Sequence, residues 1–151
     1  MIPSILSVAV AFFEWKGWTV LKTDAPNMIY THFHGNNGKW KLFVLAHTEK
    51  PILICYSLFP ETVKLHQHPA IFELLTKLND GLMIGNFEYS STHQEIRYKT
   101  SVDASGMTES LSICNPLVYY NLMAMDQYFP TLEKFIIEDV SVEDIFNEKQ
   151  G

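Results

Sequence analysis

Apolar residues recur along this chain in two periods, one helical and one extended, and the points where one replaces the other outline a fold. Ile5, Val8, Phe12 and Trp15 make one helical stripe and Leu6, Ala9 and Phe13 a second, over a segment that Ser4 can cap and Gly17 can stop near Lys16. A helix so apolar around its girth is buried on more than one side, either within its own fold or against a second subunit. Period two then takes over in Met28 to His34, resumes after the turn Gly35-Asn36-Asn37-Gly38 in Lys39 to His47, and appears again in Pro51 to Leu58. On the second of these strands Trp40, Leu42, Val44 and Ala46 share a face, while the opposite face carries Lys39, Lys41, Phe43, Leu45 and His47, half charged and half apolar. The third, with Ile52, Ile54, Tyr56 and Leu58 alternating against Leu53, Cys55 and Ser57, is apolar on both sides at its start, as a central strand is.

A linker from Glu61 to His68 leads to a helix with Pro69 in its first turn and Ile71, Leu74, Leu75 and Leu78 at i, i+3, i+4 and i+7. Asn79-Asp80-Gly81 stops it. The next strand is expected over Met83 to Tyr89, with Gly85 at a bulge or a close backbone approach. After a turn at 90–93, Ile96, Tyr98, Thr100 and Val102 alternate with Glu95, Arg97, Lys99 and Ser101, the pattern of an antiparallel strand with one wet face. A loop from Asp103 to Thr108, the latter a candidate cap, precedes a helix over most of 117–138, marked by Val118, Leu122, Met125, Phe129, Leu132 and Ile136. Pro116 is expected in its first turn, or at a kink if the helix begins at Thr108, and Pro130 is expected to bend or break it. Ser141 caps a short terminal helix with Glu143 and Asp144 in its first turn, and Lys149 to Gly151 frays. The order α-β-β-β-α-β-β-α predicts an α+β fold, an antiparallel five-stranded twisted sheet with the helices packed against one face.

The length of 151 residues suits one domain, with a core over 4–138 and a short helix and tail over 139–151. Aromatic residues make up 13% of the chain, more than a small core needs, so some aromatic surface is expected to meet a partner while core packing uses most of them. A net charge of −6 without any basic run argues against nucleic acid and anionic membranes as partners. Cys55 and Cys114 stand in no CxxC spacing, so no zinc or redox motif is present and a reducing cytoplasm fits; one disulfide between them stays open. The apolar stretch Ile5 to Phe13 is too short to span a bilayer and lacks the shape of a signal peptide.

Four stretches resemble a known family: Tyr-Ser-Leu-Phe-Pro-Glu-Thr-Val at 56–63, Leu-Asn-Asp-Gly-Leu-Met-Ile-Gly-Asn-Phe-Glu-Tyr at 78–89, Ile-Arg-Tyr-Lys-Thr-Ser-Val at 96–102 and Asn-Leu-Met-Ala-Met-Asp-Gln-Tyr-Phe-Pro at 121–130. Together they look like the YbjN family, also called the bacterial sensory transduction regulators, over roughly residues 4 to 138. Asn79, Gly85, Asn86 and Phe87 are the most specific part, and Asp80 stands where the family has an aromatic residue. The resemblance implies a fold similar to that of type III secretion chaperones, small acidic α+β proteins that commonly dimerise and bind extended segments of other proteins. It implies a regulatory role and transfers no catalytic residue.

Candidate chemistry is sparse. His32 and His34 share a strand face and His66 and His68 form a second pair, spacing that can offer two imidazoles to a metal but not the further ligands it needs, unless His47 adds one. Cys55 sits in an apolar strand, where a thiol is inert. There is no P-loop, GxGxxG or GxSxG. No catalytic residue, metal site or cofactor is assigned. The expectation is a non-enzymatic regulatory or chaperone-like module, a homodimer, that binds a segment of another protein by strand addition or aromatic docking, with Trp40, Phe43, Phe59, Phe87 and Tyr89 as contact residues. The alternative is a small-molecule or metal-binding regulator that uses the histidine pairs.

Overall fold

The computed structural model describes residues 5–107 and 110–149. Helix α1 (Ile5–Trp15) leads into β1 (Leu21–Lys22), β2 (Met28–His34), β3 (Lys39–Ala46) and β4 (Ile52–Leu58); α2 (His68–Asn79), β5 (Asn86–Ser90), β6 (Glu95–Asp103), α3 (Cys114–Ile136) and α4 (Val142–Lys149) follow. The sheet is antiparallel, in the order β1-β2-β3-β4-β6-β5. The α+β class, the antiparallel sheet and the packed helices are as expected, with a sixth strand added at one edge. That strand has two residues, too few to show any period. The caps expected at Ser4 and Thr108, and the tail at 150–151, lie outside the described residues.

One face of the sheet carries the helices. Ile29, Leu42, Val44, Leu53, Cys55, Ile96, Tyr98 and Thr100 alternate inward and are buried there. Two clusters share that face. Helix α1 and the first half of α3, through Phe12, Phe13, Leu117 and Val118, cover Leu42, Val44 and Leu53. Helices α2 and α4 and the second half of α3, through Leu74, Ile145 and Leu132, cover Trp40, Phe87 and Ile96. Asn121, fully buried at the middle of α3, joins helix to sheet: its Nδ2 lies 2.8 Å from the Cys55 carbonyl, 3.1 Å from that of Tyr98 and 3.0 Å from Thr100 Oγ1.

Two local expectations are corrected. The strand predicted from Met83 begins at Asn86, since Gly85 is left-handed at φ +79° and a side chain there would come within 2.6 Å of the Lys99 carbonyl oxygen. Met83 is almost wholly exposed. Pro130, expected to interrupt the long helix, lies inside α3 without ending it. Its ring leaves the carbonyl of Asp126 without the usual i+4 donor. Asn37 replaces that donor from the β2–β3 turn, with Nδ2 at 2.9 Å from the Asp126 carbonyl oxygen.

Candidate protein-docking face

Among the described residues no helix packs on the other face of the sheet, and its residues follow from the same alternation. Strand register lines them up in rows that run across the strands. Leu21, Tyr30, Phe43 and Tyr56 form one row, continued by Lys99 and Asn86; Met28, Leu45, Ile54 and Ser101 form the next. On the other side of the aromatic row come His32, Lys41, Leu58, Arg97 and Glu88, then His34 beside Lys39. Every apolar member of these rows is half-buried, because neighbours on a sheet shade one another although no described helix packs over them. Tyr30 and Phe43 stack with ring centres 5.2 Å apart, and cations lie over the rings at each side: Lys41 Nζ is 5.6 Å from the Tyr30 ring centre and the Arg97 guanidinium 4.4 Å from that of Tyr56. With rows about 7 Å and strands about 5 Å apart, the eight apolar side chains of these rows span roughly 300 Å². A patch of that size is as large as a monomer of this kind ordinarily leaves uncovered, and such patches are often functional.

The corner of this face is held from behind. In the β2–β3 turn the backbone N–H groups of Asn36 and Asn37 donate to the Asp126 carboxylate at 3.1 and 2.8 Å, beside the Asn37 bond that serves the Pro130 gap. A side chain at Gly35 would strike that carboxylate, and one at Gly38 the ring of Phe129. The two glycines and two asparagines therefore dock a turn onto α3 as well as making it.

The two sheet edges differ. On the outer edge of β5 the Asn79 amide stands in for a neighbouring strand, accepting from Phe87 N–H at 2.7 Å and donating to Phe87 C=O at 3.1 Å. On β2, Gly35 N–H donates to Gly38 C=O at 2.8 Å, which sets the odd-numbered residues as those bonded to β3. The backbone groups of His32 and His34 consequently turn outward, beyond the end of two-residue β1, where they meet no strand among the described residues. A groove of about 570 Å³ lined by Trp18, Thr19, Leu21 and His32 lies along that edge.

Of the residues expected to contact a partner, Phe43 is on the open face. Trp40, Phe59 and Phe87 are buried: Trp40 donates to Ser57 Oγ at 2.9 Å, it and Phe59 pack on Phe129, and Phe87 packs on Tyr98 and Tyr128. Tyr89 is half-buried, its hydroxyl 2.9 Å from His68 Nε2. Tyr30, Ile54, Tyr56 and Leu58 were not singled out in the sequence. Their signal was the apolar character of both sides of β4 and of the less polar half of β3, in contrast to β6.

The second histidine pair is drawn apart, while His32 and His34 stay on one face of β2. His66 Nε2 lies 2.9 Å from the Asp139 carboxylate, whereas His68 serves Tyr89. Among the described residues no group of three or more His, Cys, Asp or Glu is disposed to hold a metal ion. Cys55 and Cys114 are free and buried. Burial raises both thiols, Cys114 to about 11 and Cys55 further, so neither is a nucleophile near neutral pH.

No family model and no curated protein matches the chain. Solved structures do. A chain of the ExsC–ExsE complex superposes with a TM-score of 0.60 at 15% identity, covering 87% of this chain and 96% of its own. YbjN from E. coli superposes with a TM-score of 0.59 at 7% identity, covering 87% and 95%. At such identities the likeness is one of fold: the chain has the α+β fold shared by YbjN and the type III secretion chaperones.

Proposed function

We propose that this protein is a non-enzymatic, chaperone-like binding module that holds a segment of another polypeptide on the open face of its sheet. The observation that carries this is the apolar band of Tyr30, Phe43, Leu45, Ile54 and Tyr56, on the side of the sheet away from all four helices. Solvent exposure of that band costs free energy that a bound segment would recover. A second support is the contrast between edges, one stoppered by Asn79 and the other open at His32 and His34, which suits a segment that adds to β2 while its side chains lie on the face. The fold's occurrence in the ExsC–ExsE complex agrees with such a role.

The same reading has the chain as a homodimer. Tyr119 and Met123 on α3 are exposed beside an apolar groove of about 250 Å³ floored by Phe12, Val118 and Leu122, and exposed Trp15 on α1 and Leu111 before α3 line a second of about 160 Å³ that shares Phe12. Such a patch on the helical layer, away from the open face, is where two copies would meet. Of the five contact residues expected from sequence, Phe43 is the one this proposal retains.

The experiment is to compare the wild type with Phe43→Asp and Ile54→Asp for retention of polypeptide partners, with thermal unfolding as the control. Both side chains lie on the uncovered face, so each variant should fold and lose the partner. Retention by both variants overturns the face as the site. Sedimentation equilibrium near 20 µM, a concentration that fills an interface of micromolar affinity, should show a dimer that Tyr119→Lys dissociates; a monomeric wild type removes the dimer.

A further inference from the structure

We infer that the segment received on the open face is acidic at one end: an extended strip of apolar residues followed by carboxylate side chains. The inference rests on the docking face proposed above and adds the chemistry of what docks there. In a chain of net charge −6, the register brings His32 against Lys41 and His34 against Lys39 at one corner of that face, and the His32 row leads on to Arg97. The cations of this band are not equivalent. Arg97 Nε lies 2.9 Å and Lys99 Nζ 3.5 Å from the Glu88 carboxylate, so those two are matched within the protein. Lys39 and Lys41 have no carboxylate within 4 Å among the described residues. Asp126, the acid against the β2–β3 turn, accepts from the backbone N–H groups of Asn36 and Asn37.

Those two lysines and two histidines form one wall of a cavity of about 590 Å³, with Leu58, Phe59 and Pro60 between them and Glu95 on the β6 side. Glu95 is the one carboxylate in the lining. The wall is therefore cationic, and the turn that carries it is fixed to α3. A preset cationic wall beside an apolar band complements a carboxylate beside apolar side chains. The spacing follows from the pleat: rows are about 7 Å apart, so an extended chain resting on the Ile54 and Tyr56 rows places its residues two and four positions farther on over Lys41 and Lys39.

The face also limits the occupant by size. Its apolar part, roughly 300 Å² from the strand and row spacing, is well under half of what each partner contributes to a standard interface between folded proteins. That extent fits a strip of about seven residues and not a second copy of the chain. An anionic membrane would be met by a larger and less divided set of cations than two free lysines.

The test is selection of random twelve-residue peptides on the full chain and on Lys39→Glu/Lys41→Glu, with Lys50→Glu/Lys77→Glu as a variant of equal net charge altered elsewhere. Peptides selected on the wild type should alternate apolar residues and carry Asp or Glu at one end. They should bind Lys39→Glu/Lys41→Glu at least ~10-fold more weakly and Lys50→Glu/Lys77→Glu unchanged. Selected peptides without acidic preference that nonetheless lose binding to Phe43→Asp overturn this inference and leave the docking face standing. Failure to select any peptide overturns both. Lysine-dependent binding to phosphatidylserine vesicles without peptide selection assigns the band to a membrane and also overturns it.

Discussion

The Asp126 carbonyl deprived by Pro130 is a place where helix, turn and docking corner can be tested together. Asn37→Ala removes the Nδ2 donor and introduces no backbone strain, since Asn37 is not in the left-handed region. A neutral hydrogen bond at such a solvent-accessible site contributes about 0.5 to 1 kcal/mol, and that is the expected cost in the wild type. In a Pro130→Ala background the new alanine N–H can take the Asp126 carbonyl as its ordinary helical partner, so removal of Asn37 should there cost close to nothing. The coupling between the two positions is then about 0.5 to 1 kcal/mol, measured by urea unfolding of the four proteins of the cycle. Pro130 is exposed, so its replacement leaves no cavity to confuse the result. Asp126→Ala also removes the acceptor of two backbone N–H groups and should cost more, about 1 to 2 kcal/mol, or roughly 3 to 6 °C in Tm for a chain of this size. An equal cost of Asn37→Ala in both backgrounds would refute the idea that the turn completes the helix.

Three further outcomes are expected. Gly85→Ala combines a left-handed backbone with a collision against the Lys99 carbonyl and should destabilise by about 3 kcal/mol; a Tm within ~2 °C of wild type would show that β5 can shift to make room. Cys55 and Cys114, their thiols raised by burial, should resist a thiol reagent at pH 7.5 in the folded protein and both react after unfolding; rapid native labelling would mean that the layer under α1 opens. Asp139 is held below the ordinary carboxylate range first by the Gln67 amide and then by His66, so its contribution to stability is present above the unfolded carboxylate pKa and fades as pH falls through the folded one. Carboxyl NMR should place its midpoint below that of an unfolded Asp and Gln67→Met should raise it; no change in the variant would contradict the assignment.

The alternating periods made most of this architecture legible. Burial of one side of β3, β4 and β6 leaves a period of two, and burial of α2 leaves the 71, 74, 75, 78 stripe, so class, order and sheet type followed from sequence. Features that depend on single residues meeting across the fold did not. Asn79 reads locally as a helix stop, but its amide also closes the edge of β5. Asn37 reads as a turn residue and Pro130 as a breaker, and that one supplies the donor the other lacks at the Asp126 carbonyl is visible only in the fold. The contact residues expected from sequence rest on aromatic content, which does not tell the two faces of a sheet apart. Trp40 and Phe43 lie three residues apart on the same strand, an odd separation that sends one to the core and the other to the open face.

The central claim is that the helix-free side of the sheet holds polypeptide. Its most direct test is site-specific photo-crosslinking in cells, with p-benzoylphenylalanine placed in turn at Tyr56 and Ile54 on that side, and at Phe72 and Tyr120 on exposed helix positions. The account predicts a discrete adduct with another polypeptide from Tyr56 and Ile54 and none from Phe72. Adducts confined to Phe72 or Tyr120, with Tyr56 and Ile54 silent, would contradict it.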